Sequence, residues 1–442
     1  MNHENSVDKA ERGCKGSKEE FVQIGQPAGA TYWKGLKEIE TGPRPSTEFP
    51  GGLSTPANTR RDFLSLMGFT VAAAGLTACR APVQYAVPQV TASDQLVPGV
   101  SSWYATTCGG CPSACSLLVK QRDGRPIKIE GNDQSPLFGQ GTCATGQATV
   151  LSLYDGERLR GPIWKGKPAR WAEIDRRVLE SLGAAQAAGR AVVLLSGTLT
   201  SPATLGIVAD WAKRHANFRH VVYDAVSLSA LRAANAESFG RKAIPHYAFD
   251  KARVIVGMEA DFLGTWLSPV EFARQYAGSR RSGQGFRLHA QFESGLSVTG
   301  SKADVRVPVA PSDMGAVAVA LLRRIARKAG VADVPAVPKP LPEPAILDAV
   351  AEQLWQHRGE SLVVSGVADK SVQVVVNALN AFLGNIGKTV DLAHPSLQRS
   401  GDDQAMADLV EQMNRGEVHT LLLYGVNPAY DYPDAGRFLK GF

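Results

Sequence analysis

The pattern of hydrophobic and polar positions changes period along the chain. Up to residue 58 the sequence is polar, rich in Gly, Pro, Ser, Glu and Lys, and non-periodic apart from Tyr32-Trp33-Lys34-Gly35-Leu36. That composition predicts a disordered leader. Residues 59–79 bring Arg60-Arg61 and then an uncharged run from Leu64 to Ala78. From Leu117 to Asn132 apolar and polar residues alternate around Asp123-Gly124, the pattern of a β-hairpin. From Arg190 onward, short continuous apolar runs alternate with helical stretches. Residues 191–197, 220–224, 253–257, 361–366 and 420–425 read as strands, and 205–215 as a helix. Continuous apolar strands separated by helices predict a parallel sheet covered on both faces. The expected fold class is therefore α/β, with doubly wound parallel-sheet domains over 161–442 and a small cysteine-motif β-hairpin domain over 100–160.

Composition narrows the function classes. The 442 residues, 44% hydrophobic and 20% charged, are ordinary for a globular chain and long enough for two or more cores. A net charge of +6 without a Lys/Arg run interleaved with aromatics argues against nucleic acid as a partner. The six cysteines are Cys14, Cys79, Cys108, Cys111, Cys115 and Cys143, and four of them fall within 36 residues. Such clustering predicts one ligand set rather than a disulfide framework spread over the chain.

Cys108-Gly-Gly-Cys111-Pro-Ser-Ala-Cys115, followed after 27 residues by Cys143, supplies four thiolates at turn-forming intervals. They can close around a 4Fe-4S cluster, around a structural zinc ion, or stand as an emptied site with reduced or paired thiols. The run of 15 residues after Arg60-Arg61 is shorter than the about 20 needed to cross a bilayer, so it reads as an export signal and not an anchor. The twin arginine resembles the signal of the Tat pathway. Leu76-Thr77-Ala78-Cys79 reads either as a lipobox that lipidates Cys79 or as a small-residue cleavage region.

Ser196-Gly197-Thr198, Ser365-Gly366-Val367 and Tyr424-Gly425-Val426-Asn427-Pro428 fall at strand ends, where ligands of such sheets bind. Glycine there can admit a phosphate or simply make a tight turn. His246, His289 and His394 have no spacing of a metal site or triad, and Asp402-Asp403 reads as a solvated helix start.

The cysteine spacing with its hairpin resembles the N-terminal 4Fe-4S domain of the molybdopterin oxidoreductase superfamily. The resemblance continues through residues 260–269, through 303–313, which is similar to a nucleotide-binding Pro-Gly-Thr-Asp element, and through the Gly384-Asn385-Ile386-Gly387 turn. The late Tat motif, Tyr32–Leu36, 148–155 and 268–274 resemble, more narrowly, the iron-sulfur subunit of bacterial alternative complex III. That resemblance implies a 4Fe-4S cluster on Cys108, Cys111, Cys115 and Cys143. It also implies export to the periplasmic side of the cytoplasmic membrane, with lipid anchoring. The implied partners are membrane quinol-oxidising subunits, a multihaem cytochrome, ferredoxin-like cluster domains and the membrane surface. Two departures imply that molybdopterin is not expected as a working cofactor. Thr145 stands where catalytic members place a Lys or Arg, and no cysteine follows Cys143 to ligate molybdenum. The chain also ends in what reads as the start of a helix, which suggests a fragment or split subunit. The rival readings are a fragment of a catalytic polysulfide- or dimethyl-sulfoxide-reductase-type enzyme and a zinc-stabilised scaffold.

Overall fold

Branched apolar runs that are too short for helices become strands when helices can cover both of their faces. The computed structural model describes residue 97 and residues 99–281, 285–337, 341 and 343–442. Arg60, Arg61 and Cys79, with the segments 1–58 and 59–79, lie outside the described residues. In chain order the strands are β1 (Ser101–Thr107), β2 (Ser116–Arg122), β3 (Arg125–Gly131), β4 (Ile163–Trp164), β5 (Lys167–Pro168), β6 (Ala191–Ser196) and β7 (Phe218–Val222). They continue as β8 (Ile244–Tyr247), β9 (Val254–Met258), β10 (Leu288–Glu293), β11 (Val305–Pro308), β12 (Ser361–Ser365), β13 (Val390–Ser396) and β14 (Val418–Tyr424).

Among the described residues, two sheets are parallel throughout, with strand orders β14-β6-β7 and β11-β10-β9-β12. All five residues of β9 are buried. Val254, Val256 and Met258 meet the helices Met314–Lys328, Pro344–Gln356 and Lys370–Phe382, while Ile255 enters a second core with Phe249, Phe262, Phe272 and Tyr276. β6 alternates in the same way. Val193 and Leu195 pack on helix Asp403–Asn414 through Met406, Leu409 and Met413, and Val192 and Leu194 pack with Ala185, Phe218 and Trp211. The doubly wound α/β expectation therefore holds.

The cysteine domain is the antiparallel sheet β1-β2-β3. Asp123 and Gly124 both have positive φ, 51° and 77°, as a two-residue hairpin turn of this hand demands. The sheet is fastened to the body: the Arg274 guanidinium donates to the carbonyls of Pro136 (2.6 Å) and Leu137 (3.2 Å), and Val270 packs into the core of the cysteine domain. All of the described residues belong to one compact unit. None of their helices is long and apolar enough to cross a membrane.

Two features depart from the sequence reading. The strand expected over 220–224 runs from Phe218 to Val222, so Tyr223 and Asp224 lie beyond its end. An antiparallel pair, β8 with β13, was not anticipated, because Pro245 and Pro395 interrupt both runs and proline is poorly compatible with paired strands.

β10 carries a buried polar ladder. The His289 Nδ1 lies 3.0 Å from the Tyr276 hydroxyl, and the Glu293 carboxylate accepts from Arg306 Nε at 2.6 Å and from the Ser297 amide at 3.2 Å. Burial pushes the His289 imidazole down to about 4. A depressed histidine contributes stability that is present above its unfolded value of about 6.5 and is lost as pH falls through the folded value. Urea unfolding should show about 2–3 kcal/mol more loss between pH 7 and 4.5 in the wild type than in His289→Gln. Equal losses would show that His289 is not the buried acid-labile group.

Candidate cofactor site at the cysteine loop

The first three cysteines are presented by the open end of the β1–β2 ladder. Beyond the last strand pair, Thr107 with Ser116, the Cys108 amide donates to the Cys115 carbonyl at 2.8 Å, so these two residues face each other. The chain between them turns tightly: the Ala114 amide donates to the Cys111 carbonyl at 3.2 Å and Ala114 has φ 49°. Cys143 arrives because residues 139–141 lie directly on β3. A Cβ on Gly131 would stand 2.3 Å from the Gln140 carbonyl carbon, so only glycine permits that approach. Cys143 then caps the short helix Ala144–Ala148.

All four are free thiols. The Gly110 amide points at the Cys108 Sγ (3.5 Å) and the Gly146 amide at the Cys143 Sγ (3.3 Å). Cys115 is buried against Leu117, Ile129 and Phe138. Burial, and then the neighbouring Cys111, Cys108 and Cys143, push its thiol up to about 12. Amide donors aimed at sulfur suit the thiolate ligands of an iron-sulfur cluster. Among the described residues no group of three or more His, Cys, Asp or Glu side chains has the spacing that holds a metal ion. Four free cysteines on one loop and its neighbouring helix start, with amides directed at two of the sulfurs, form a donor set that fits a 4Fe-4S cluster.

A cavity of about 650 Å³ opens between this loop and the carboxyl ends of β6, β7 and β14. β6 has β7 on one side and β14 on the other, so the cavity sits where strand order reverses, the usual ligand position in such sheets. Gly197 and Gly425 line it, with Thr198, Ser201 and Arg399. Asp224 shapes its rim by accepting from the Thr198 amide (3.1 Å), the Thr198 hydroxyl (2.6 Å) and the Gly401 amide (2.9 Å). Asp431 also faces this space, and its Oδ1 is buried without a partner. The third strand-end glycine behaves differently. A Cβ on Gly366 would stand 2.1 Å from the Glu259 carbonyl oxygen, so this glycine serves close packing of the chain.

The three isolated histidines have structural partners. His246 Nε2 pairs with Glu271 at 2.7 Å, His289 is wholly buried, and exposed His394 pairs with Asp391 at 2.9 Å. Hydrogen bonding to Glu271 raises the His246 imidazole above its ordinary range. Asp402 caps helix Asp403–Asn414 through the Ala405 amide, as expected of a helix start. Asp224, Arg399 and Asp431 were missed as site residues. Each is an isolated charged residue in sequence, and the cavity joins segments more than 300 residues apart.

Residues 101–155 match the model of the molybdopterin oxidoreductase Fe4S4 domain. The chain carries that domain. The chain is 36% identical over 77 residues to the arsenate respiratory reductase molybdopterin-containing subunit of Shewanella sp. (strain ANA-3), a match covering 17% of this chain and 9% of that protein. It is 21% identical over 385 residues to the menaquinone reductase, molybdopterin-binding-like subunit of Nitratidesulfovibrio vulgaris, covering 77% of this chain and 55% of that protein. The fold is similar to acetylene hydratase from Pelobacter acetylenicus, with a TM-score of 0.54 at 11% identity over 76% of this chain and 59% of that one. Where such matches run through most of this chain, it spans a little over half the length of the relative.

Removing the Asp224 carboxylate would leave three donors at the cavity rim unpaired. Asp224→Ala should cost about 3 kcal/mol in urea unfolding and speed exchange of the Thr198 and Gly401 amides. Unchanged exchange at both amides would show that Asp224 does not hold the rim.

Proposed function

We propose that the chain is the molybdopterin-oxidoreductase-like, cluster-bearing part of a quinol-oxidising respiratory complex of the alternative complex III kind. The observation that carries the reading is the donor set of Cys108, Cys111, Cys115 and Cys143, with two amides turned toward its sulfurs. The similarity over 77% of the chain to a subunit named for menaquinone reductase supports the link to quinones. A 4Fe-4S cluster supplies one-electron transfer when bound. This chain's own residues position it: Gly110 and Gly146 donate to sulfur, and Leu117, Ile129 and Phe138 shield the Cys115 side from water.

The same reading takes Arg60-Arg61 as a Tat export signal and Cys79 as the lipid anchor, which would hold the protein at the periplasmic face of the membrane. Membrane quinol-oxidising subunits, a multihaem cytochrome and ferredoxin-like domains are the proposed partners. Trp103 and Tyr104 stand about half exposed on β1, one on each face of the cysteine sheet. Thr145 and the lack of any cysteine after Cys143 favour a domain without working molybdenum.

A second reading, a catalytic molybdopterin enzyme, is favoured by the cavity at the reversal of strand order. Its glycines, its hydroxyls and Arg399, which has no ion pair among the described residues, suit an anionic nucleotide-like group.

Metal and pterin analysis of the full chain, purified anaerobically, separates the readings. About four irons per chain, acid-labile sulfide and no molybdenum, tungsten or pterin are expected, with most iron lost in Cys111→Ala. Stoichiometric molybdenum or tungsten with pterin would overturn the first reading in favour of the second. Zinc without iron would leave a structural metal site.

A further inference from the structure

The turn Cys111-Pro112-Ser113-Ala114 stands between two open spaces. The glycine-lined cavity reaches Cys111 and Pro112 on one side, and a second cavity, of about 480 Å³, is lined by Pro112, Ser113 and Ala114 on the other. A strip of chain with space on both sides has little packing to hold it, so its fixed points carry more weight.

The four sulfurs differ in how they are held. Cys108 and Cys115 face each other across the backbone bond that ends the β1–β2 ladder, and Cys115 is also buried with Leu117, Ile129 and Phe138. Cys143 caps a helix that the close approach at Gly131 delivers. Cys111 is the exposed member of the set. The Gly110 and Gly146 amides serve Cys108 and Cys143, and among the described residues no amide is turned toward the Cys111 sulfur. Its place is therefore set by the turn it begins. Within that turn the Ala114 amide closes on the Cys111 carbonyl, which fixes the shape of the turn but not its position.

Ser113 fixes the position. It is buried, and its hydroxyl donates to the Leu267 carbonyl at 3.0 Å and lies 3.2 Å from the Gln398 side-chain Oε1. The partners are 154 and 285 residues away in sequence, so these contacts tie the turn to two separate parts of the body. Both parts are firm. Leu267 is buried in the core that contains Phe262 and Phe272 and directly precedes the N-cap of helix Pro269–Ser279. The Gln398 amide is itself bonded by the Ser396 hydroxyl at 3.3 Å.

We propose that Ser113 is a positioning residue for the cluster: by anchoring the turn to the body it holds Cys111, the ligand that the rest of the loop restrains least, on its iron. The inference rests on the reading of the four cysteines as a 4Fe-4S site, and it adds which ligand depends on which side chain.

The test acts on the full chain with its cluster already assembled, treated anaerobically with ferricyanide. Ferricyanide takes one electron from the 4Fe-4S cluster of charge 2+. The iron whose thiolate lets go leaves as a ferrous ion, that thiolate takes up a proton, and a 3Fe-4S cluster of charge 1+ remains, which electron paramagnetic resonance detects. Wild type and Ser113→Ala should both begin with about four irons, and Ser113→Ala should form the 3Fe-4S signal roughly 5-fold faster, the effect of losing one hydrogen bond. Ser113→Thr keeps the hydroxyl, has room for its methyl in the second cavity, and should return the rate close to that of the wild type. Gln398→Ala leaves the bond to Leu267 in place and should fall between, which provides a second variant away from the cysteine loop. Arg274→Ala, which loosens the attachment of residues 136–137 instead, should leave the rate near that of the wild type. Melting followed by circular dichroism checks that each variant is folded. Equal rates in wild type and Ser113→Ala, no rescue by Ser113→Thr, or an equal rise in Arg274→Ala would overturn the role of Ser113 while leaving the cluster reading intact. A wild type without iron and acid-labile sulfide would overturn the cluster reading and this inference together.

Discussion

A parallel strand buried on both faces leaves little room for polar side chains except at its ends, and that constraint organises this molecule. β9 and β12 are buried along their whole length, and β6 is nearly so. Their hydroxyl-bearing residues stand at strand ends, Ser196 and Ser365 at the carboxyl ends and Ser361 at the amino end of β12. Polar side chains of these strands are thereby confined to the strand ends. β10 breaks the rule with His289, Gln291 and Glu293. Its polar groups are matched by partners on Tyr276, Ala260, Ser297 and Arg306, so the buried ladder is satisfied where a single missing partner would be costly.

The two sheets each contain a reversal of strand order, and they use it differently. In the larger sheet it lies between β9 and β12, and the Gly366 amide bonds to the Met258 carbonyl across it at 2.9 Å. Gly366 then packs on the Glu259 carbonyl, which closes the crevice with backbone. In the smaller sheet Asp224 ties the Thr198 turn to Gly401, and the crevice beside them is open. A side chain with two acceptor oxygens can span loops that backbone contact would collapse. The same topology therefore yields a packed edge in one sheet and a ligand-sized cavity in the other.

Much of this architecture was legible in the sequence because it depends on local patterns. Unbroken runs such as Val254–Met258 identify buried strands, alternation around Asp123-Gly124 identifies the hairpin, and the cysteine spacing identifies the donor set. What depends on distant pairs was not legible. Pro245 and Pro395 hide the β8–β13 pair, whose strands hydrogen-bond across about 150 residues of chain. Strand-end glycines look alike in sequence, although Gly197 borders a cavity and Gly366 fills a contact. His246 was read as an isolated histidine; its partner Glu271 comes from a helix whose position follows from packing on β9 and β10, and no local signal announces it.

The cysteine loop joins these levels. The hairpin brings Cys108 and Cys115 face to face, and the close approach at Gly131 delivers Cys143, so backbone geometry assembles the sulfurs before any ion is bound. The same proximity opposes ionisation of Cys115, whose thiol is held up to about 12 by burial and its three neighbours. Thiolate ligands must lose their protons to bind, so this resistance counts against loading, while the preformed backbone counts in its favour. A cationic cluster held by Cys108, Cys111, Cys115 and Cys143 would relieve the opposition to ionisation at Cys115. The loop also walls both cavities through Pro112. Pro112 is thus a wall common to both cavities, so packing alone links the cysteine domain to the body there.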